Sequence, residues 1–460
     1  MNNLNPATGE VYAVVHDFTD EEIDAAIGRA AEGAKEWTAI PFYKRMELME
    51  KFLSLVDEHQ EEIARIMTIE GGKPINQSRG EVGRVKDTCR SYMAAARTLF
   101  GQTMPINPEP RGEGDVIFTM HEPLGVVACI TAFNFPAVVF AHKVSAALCA
   151  GNSVLLKPAS DTPCSAVYMV DLLHKAGIPE NVIQCITGPG GSVGDRIVSD
   201  PRVNAVMLTG STAVGLHIAE ICAKQLKPYC LELGGNDPLI VMDDFDVDEA
   251  VKETLAGRIA NAGQVCCSSK RMIVQNTIRE EYTKKLSEAL NALKVGDPMD
   301  ESVAVGPLIN RRAADRVSAQ IQKAVSEGAT LCSGGVQTDC FVTPCVLGNV
   351  PKTASVASDD EIFGPVFPVI GFDTLDEAIE IANQSCYGLS SGILTRDFKT
   401  GMQFAMKSDA GGAVVGGNGN YRLGQQPFGG HKRSGVGTEG SMYTLTELTK
   451  VKSVILRGVL

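Results

Sequence analysis

The sequence predicts an α/β chain organised around a parallel, doubly wound sheet. Three observations carry that prediction. Short Val- and Ile-rich runs alternate with stretches of helical periodicity through the middle of the chain. Glycine is abundant, 46 of 460 residues, which suits many tight strand-to-helix turns. The chain is 44% hydrophobic, and at this length it can bury two cores, so two domains are expected.

In chain order, Thr19 before Asp20-Glu21-Glu22 is the start of a capping box, and Ile23, Ile27 and Ala30 line one face of the helix that follows. Residues 124–140 are the most apolar stretch. Asn134 and Pro136 interrupt it, and His142 and Lys143 follow. It therefore reads as a buried strand over 125–130, a loop, and a helix over 138–150 that stops at Gly151, not as a membrane span. Further strands are predicted at 153–156, 182–186, 205–208 and 239–242. No linker rich in Pro, Gly or Ser, no low-complexity tract and no repeat interrupts the chain, so composition marks no domain boundary.

A net charge of −13 disfavours nucleic acid or an anionic membrane as a partner. The thirteen cysteines include no C-x-x-C pair and no metal-ligand spacing, and the start, MNNLNPATGE, has neither a basic segment nor an apolar run. The expectation is a cytoplasmic protein with free thiols and no metal site.

Six motifs carry chemistry, one of them a pair of glycine-bearing turns. Gly263-Gln264-Val265-Cys266-Cys267-Ser268-Ser269-Lys270-Arg271 offers a thiol among cationic neighbours, which favour the thiolate. Taken singly, a free cysteine is more often a small buried hydrophobe. In Leu231-Glu232-Leu233-Gly234-Gly235, an apolar setting disfavours the charged form of Glu232 and suits a general base. Its ordinary alternative is an ion-paired strand end. Asn134, in Thr131-Ala132-Phe133-Asn134-Phe135-Pro136, can donate its amide to an oxyanion or serve as a plain loop residue. Two glycine-bearing turns, Gly188-Pro189-Gly190-Gly191-Ser192-Val193-Gly194 and Gly210-Ser211-Thr212-Ala213-Val214-Gly215, follow strands and precede helices, where backbone N–H groups can face a phosphate. Neither matches G-x-G-x-x-G, so each is weak alone. Glu361-Ile362-Phe363-Gly364-Pro365-Val366 and the segment from Pro427 to Gly437 complete the set.

In this order and spacing the six motifs resemble the non-phosphorylating aldehyde dehydrogenase superfamily over nearly the whole chain. The separation of 34 positions from Glu232 to Cys266 (266 − 232) agrees with that family. The resemblance implies roles position by position. Cys266 would attack the aldehyde. Asn134 and the Cys266 backbone N–H would hold the oxyanion, and Glu232 would activate the water that hydrolyses the thioester. Phe133, Lys157, Ser160, Gly190, Gly210, Ser211, Val214, Gly215, Leu233, Glu361 and Phe363 would bind the dinucleotide. Glu439 falls where the family often has a Glu linked to a proton path, although Thr438 replaces the usual Arg before it. The implied fold has a Rossmann-like dinucleotide domain (1–105 and 125–231), an α/β catalytic domain (232–438) and a small β oligomerisation element (106–124 and 439–460). The implied assembly is a homodimer or homotetramer.

NAD-preferring relatives carry Glu three residues after the lysine of Lys157-Pro158-Ala159-Ser160. Ser160 is neutral and permits a 2′-phosphate, so NADP, or both NADP and NAD, is expected. Val265 stands where glyceraldehyde-3-phosphate dehydrogenases of this type have Arg. Adjacent Cys266 and Cys267 differ from the C-x-C of many succinate-semialdehyde dehydrogenases. The C-x-S-x-K-R pattern with Arg422 before the P-F-G-G segment resembles the branch acting on lactaldehyde, sulfolactaldehyde or phosphonoacetaldehyde. Arg422 and Arg90 are then candidates for the substrate's hydroxyl or anionic end, each against the alternative of a structural ion pair. A CoA-acylating enzyme would often lack Glu232. A binding protein would need none of Cys266, Glu232 and Asn134.

Overall fold

The computed structural model describes residues 1–107 and 109–460. The α/β expectation is borne out. Five parallel strands form one sheet in the order Tyr229–Glu232, Ala205–Thr209, Val126–Ile130, Ser153–Lys157, Ile183–Cys185, and Gly435–Val436 adds antiparallel to the outer edge of Tyr229–Glu232. Strand Val126–Ile130 comes first in the chain and lies in the middle. Later strands add to one side and then to the other. The order reverses between Val126–Ile130 and Ala205–Thr209, and ligands of such sheets bind outside the carboxyl ends at that point. The loops leaving those two ends carry Phe133-Asn134 and Gly210-Ser211.

Both faces of this sheet are covered. Val127, Cys129, Val154 and Leu156 face one buried layer, while Val126, Ala128 and Leu155 face the other. Alternate residues of one strand thus serve two helical layers, which is why these runs are continuously apolar. The helix at Asp20–Ala39 begins with the predicted capping box, in which Thr19 and Glu22 bond reciprocally, and it buries Ile23, Ile27 and Ala30.

A second sheet of seven strands runs Thr330–Ser333, Cys345–Gly348, Val366–Phe372, Ser269–Gln275, Asp237–Val241, Gly392–Leu394, Val414–Val415, parallel except at Thr330–Ser333. The chain crosses from the first sheet to the second between Glu232 and Asp237. Glu232 ends a strand of the first sheet and Asp237 begins one of the second. Cys266 precedes the strand that starts at Ser269. Strand carboxyl ends of one sheet and strand amino ends of the other therefore meet at one junction. An antiparallel ribbon, Val116–Pro123 with Thr449–Leu456, stands apart from both sheets and exposes Met120, Val451, Ile455 and Leu456.

Two boundaries differ from expectation by two residues, and the other predicted strand and helix ends by at most one. Strand Asp237–Val241 starts two residues before the predicted 239, because Asp237 pairs with Ser269. The helix predicted from 138 starts at Pro136, whose fixed φ suits a first helical position, and contains a π-turn at Ala141–Ser145 between α segments Pro136–Phe140 and Ala146–Cys149. It ends before Gly151, where φ is +94°. No helix among the described residues is long and apolar enough to cross a membrane. Among them no group of three or more His, Cys, Asp or Glu is placed to hold a metal.

Candidate active site

The junction of the sheets gathers Cys266, Glu232 and Asn134. The backbone before the thiol is left-handed at three successive residues, Asn261 (φ +50°), Ala262 (+53°) and Gly263 (+76°). At the two non-glycines this conformation costs about 1–3 kcal/mol each, so neighbours must hold it. Asn261 is fixed from the first sheet's side: Gln77 accepts from its backbone N–H at 2.8 Å, and its Nδ2 donates to the Asn134 carbonyl at 3.0 Å. Asn134 replies by donating Nδ2 to the Gln264 carbonyl at 3.0 Å, which leaves one amide hydrogen for another acceptor. Gln264 is pinned by Nε2 to the Asn261 carbonyl and by Oε1 to the Ile309 N–H, both 3.0 Å. Glu81, ion-paired with Lys73, accepts the Ala137 and Val138 N–H groups at 2.9 and 3.1 Å, fixing the helix that follows Asn134.

Cys266 is partly exposed, and Cys267 is buried against Val265, Leu389 and Phe428, donating to Asn420 Oδ1 at 3.4 Å. The neighbouring Cys267 thiol, then burial, push the Cys266 thiol up, while Lys270 and Arg422 act against that rise. Lys270 donates to the Cys266 carbonyl and lies 3.4 Å from Glu361 Oε1.

Glu232 is 4% exposed, and neither carboxyl oxygen has a hydrogen-bond partner. The ordinary alternative, an ion-paired strand end, is therefore not what the fold contains. Burial, then repulsion from Glu439, pushes its pKa well above the usual carboxylate range, while Arg422 and Lys143 oppose. Glu439 is buried between two cations, accepting from Lys143 at 2.7 Å and Arg422 at 2.6 Å. Its own desolvation is outweighed by Lys143 and then Arg422, so its pKa lies below the usual range. Beyond it, His142 Nδ1 lies 3.1 Å from the Tyr92 hydroxyl, and desolvation keeps that imidazole neutral. Sequence reasoning missed Lys143 as a site residue. The available signal was a lysine inside the longest apolar stretch, where an unpaired charge is costly.

The two predicted substrate arginines separate. Arg422 lies at the junction, stacked 3.9 Å over the Phe428 ring. It is engaged by Glu439, but its buried Nε has no partner. Arg90 is not brought to the site, and that expectation is corrected. It is 55% exposed and pairs at 3.3 Å with Glu50 on helix Phe42–Glu58. On the same helix, Ile75–Ala96, Arg84 stands 5.6 Å from the Phe135 ring. Six residues rotate a helix by roughly 240°, so the two arginines point to different sides.

The predicted dinucleotide residues other than Glu361 and Phe363 lie at or just beyond the carboxyl ends of the first sheet's strands. Lys157 is buried, donates Nζ to the Pro158 carbonyl at 2.8 Å, and burial lowers its pKa to about 8. Ser160 Oγ donates to the Gly188 carbonyl at 3.1 Å. Added side chains at Gly190, Gly191 and Gly194 would meet open space. Ser211 caps helix Thr212–Ala223 by accepting the Val214 N–H at 3.4 Å, with Gly210 just before it. Gly215 allows that helix to press on Leu233, whose methyl carbon would lie 2.4 Å from an added Cβ. Phe133 and Phe363 pack edge to face at 5.9 Å, and Glu361 Oε1 accepts the Gly235 N–H at 3.3 Å. Val214 and Leu216 remain exposed beside the cap. An open glycine cradle, a capped helix start, exposed apolar side chains and a buried lysine bonded only to a carbonyl fit a dinucleotide.

Over residues 1–454 the chain matches the model of the family described as "Aldehyde dehydrogenase family". It is 37% identical to a lactaldehyde dehydrogenase of Methanococcus vannielii, over 100% of this chain and 97% of that one. It is also 37% identical to a 3-sulfolactaldehyde dehydrogenase of Priestia aryabhattai, over 99% and 94% respectively. The solved structure of glyceraldehyde-3-phosphate dehydrogenase GapN from Methanocaldococcus jannaschii, complexed with NADP, superposes with a TM-score of 0.94 at 33% identity, covering 99% of each chain.

Proposed function

The chain belongs to the aldehyde dehydrogenase family, and from that premise we propose that it oxidises a small hydroxy- or anion-bearing aldehyde to the carboxylic acid through a thioester on Cys266. It is an oxidoreductase that uses NAD or NADP.

In this reading the Cys266 sulfur attacks the aldehyde carbon and its proton passes to Glu232, which releases it to solvent. A carboxyl group raised by burial is a base strong enough to serve a thiol that is itself raised. The Asn134 amide and the Cys266 backbone N–H hold the oxyanion of the thiohemiacetal. A bound dinucleotide would supply the acceptor for the hydride on the former aldehyde carbon. Lys157, Ser160, the glycine cradle and the Ser211 cap would hold its adenosine and phosphates, and Glu361 and Phe363 would hold its nicotinamide end. Glu232 then takes a proton from water, whose oxygen attacks the thioester carbonyl. The C–S bond breaks and Cys266 is restored.

The observation that carries the reading is Glu232, buried and without a hydrogen-bond partner beside the thiol. A general base needs that state, and a structural carboxylate would have been satisfied. Arg422, with its unpartnered Nε, supports an anionic or hydroxylated substrate of the lactaldehyde, sulfolactaldehyde or phosphonoacetaldehyde type. Ser160 supports NADP, alone or beside NAD. The domain limits 1–105 with 125–231, 232–438, and 106–124 with 439–460 belong to the same reading. So do a cytoplasmic location and a homodimer or homotetramer assembled through the exposed ribbon. An absorbance assay over an aldehyde panel, with NAD or NADP and with or without CoA, tests the activity. CoA-dependent turnover, or no turnover with any aldehyde, would exclude it.

A further inference from the structure

Arg258 ends helix Val247–Arg258 and is wholly buried, with no carboxylate among its hydrogen-bond partners. Its five N–H donors meet five acceptors. Nε donates to the Val366 carbonyl at 3.2 Å. Nη1 donates to the Gly263 carbonyl at 3.0 Å and to Ser268 Oγ at 2.7 Å, and Nη2 to the carbonyls of Ile362 and Gly364, both 2.7 Å. Ser268 Oγ passes the contact on, donating to the Val265 carbonyl at 3.0 Å. One face of the fork therefore brackets Cys266 from residues 263 and 268. The other brackets Phe363 from residues 362 and 364. The two loops touch, since a Cβ at Gly263 would lie 2.2 Å from the Gly364 carbonyl. Burying a guanidinium without a counter-ion is costly unless every donor is used, and here every donor is used on these two loops and the strand that follows. A lysine has three donors at one point and cannot span both.

We infer that Arg258 is a positioning residue that sets the separation between the Cys266 thiol and the Glu361–Phe363 loop, so that thiol reactivity and hydride transfer depend on a side chain that touches neither. The inference rests on the reading of Cys266 as nucleophile. The adenosine side of the dinucleotide, held by the other sheet, is independent of Arg258.

The test uses the full-length Arg258→Lys and Ser268→Ala variants. Three quantities are measured in each: NADPH affinity by fluorescence, the rate constant for alkylation of Cys266 by iodoacetamide (located by peptide mass), and the burst rate of NAD(P)H formation. In Arg258→Lys, NADPH affinity stays within about twofold, while alkylation and burst rates fall on the order of tenfold. Ser268→Ala gives a smaller fall in the same direction. A merely structural role would lower the melting temperature and leave both rates unchanged in the folded enzyme, and that result overturns the inference. So does a loss of NADPH affinity in step with the rates. If Arg258→Lys does not fold, Ser268→Ala decides alone, and unchanged rates there also overturn it. Turnover surviving in Cys266→Ser would sink the nucleophile reading instead, while alkylation at Cys266 would still report on Arg258.

Discussion

Lys143 Nζ donates to Glu439 Oε1 at 2.7 Å, with both side chains buried and separated by 296 residues in the sequence. The π-turn carrying Lys143 and the segment carrying Glu439 meet there, their charges acting on Glu232, and Arg422 closes the cluster at 2.6 Å. Two cations around one carboxylate leave a net positive surround, yet Glu439 still pushes Glu232 upward.

Glu439→Gln leaves Lys143 buried without its counter-charge and is expected to destabilise the protein by about 3 kcal/mol, read by denaturant unfolding at pH 7. Because the pKa of Glu439 is depressed by folding, its stabilisation is present above the ordinary carboxylate range and is lost as pH falls below it. Stability differences between wild type and variant should therefore narrow in acid. The same change removes a negative neighbour of Glu232, so the rising limb of the pH–rate profile should move to lower pH. A limb that stays in place would show that Glu439 does not act on Glu232.

Cys266→Ala should abolish oxidation with dinucleotide affinity nearly intact. Cys267→Ala should keep most activity, at a cost of about 1 kcal/mol for the lost core sulfur. Since the Cys267 thiol is the leading cause of the raised Cys266 thiol, removing it should shift the alkylation profile of Cys266 to lower pH. An inactive Cys267 variant beside an active Cys266 variant would reverse the assignment.

Glu232→Gln should stall the reaction after hydride transfer. Rapid mixing should record one equivalent of NAD(P)H per site in a slowed burst, because the thiol has lost its proton acceptor, and then still slower turnover, because the hydrolytic water has lost its base. Normal steady-state turnover would remove Glu232 from the mechanism.

Ser160→Glu should shift preference from NADP toward NAD. A carboxylate about 4 Å from a 2′-phosphate opposes it by on the order of 4 kcal/mol at an effective dielectric near 20, reduced to about 1–3 kcal/mol once the side chain turns aside. That corresponds to roughly ten- to hundredfold in NADP affinity. The bond from Ser160 to the Gly188 carbonyl is lost as well, at about 1 kcal/mol. The ratio of kcat/KM for the two cofactors measures the shift, and an unchanged ratio would place Ser160 away from the 2′ position.

Legible along the chain were the α/β class, the capping box at Thr19, the main strands of the first sheet and, through the family resemblance of their segments, the nomination of Cys266, Glu232 and Asn134. These follow from local periodicity and from short segments whose residues are neighbours in the chain. The sequence did not determine which arginine reaches the junction. Arg422 was marked by its place before the P-F-G-G segment and Arg90 only by its place on an early helix; helix phase sent Arg90 to Glu50, while the return of the chain near its end brought Arg422 to Glu439. Nor did it mark Lys143 or Arg258, because each is defined by partners far away in the chain. Lys143 depends on Glu439, and Arg258 on carbonyls more than 100 residues later. The protonation of Glu232 belongs to the same class. A carboxyl group's pKa is set by the water it loses and by the charges it meets, and both were decided only when the two sheets closed over it.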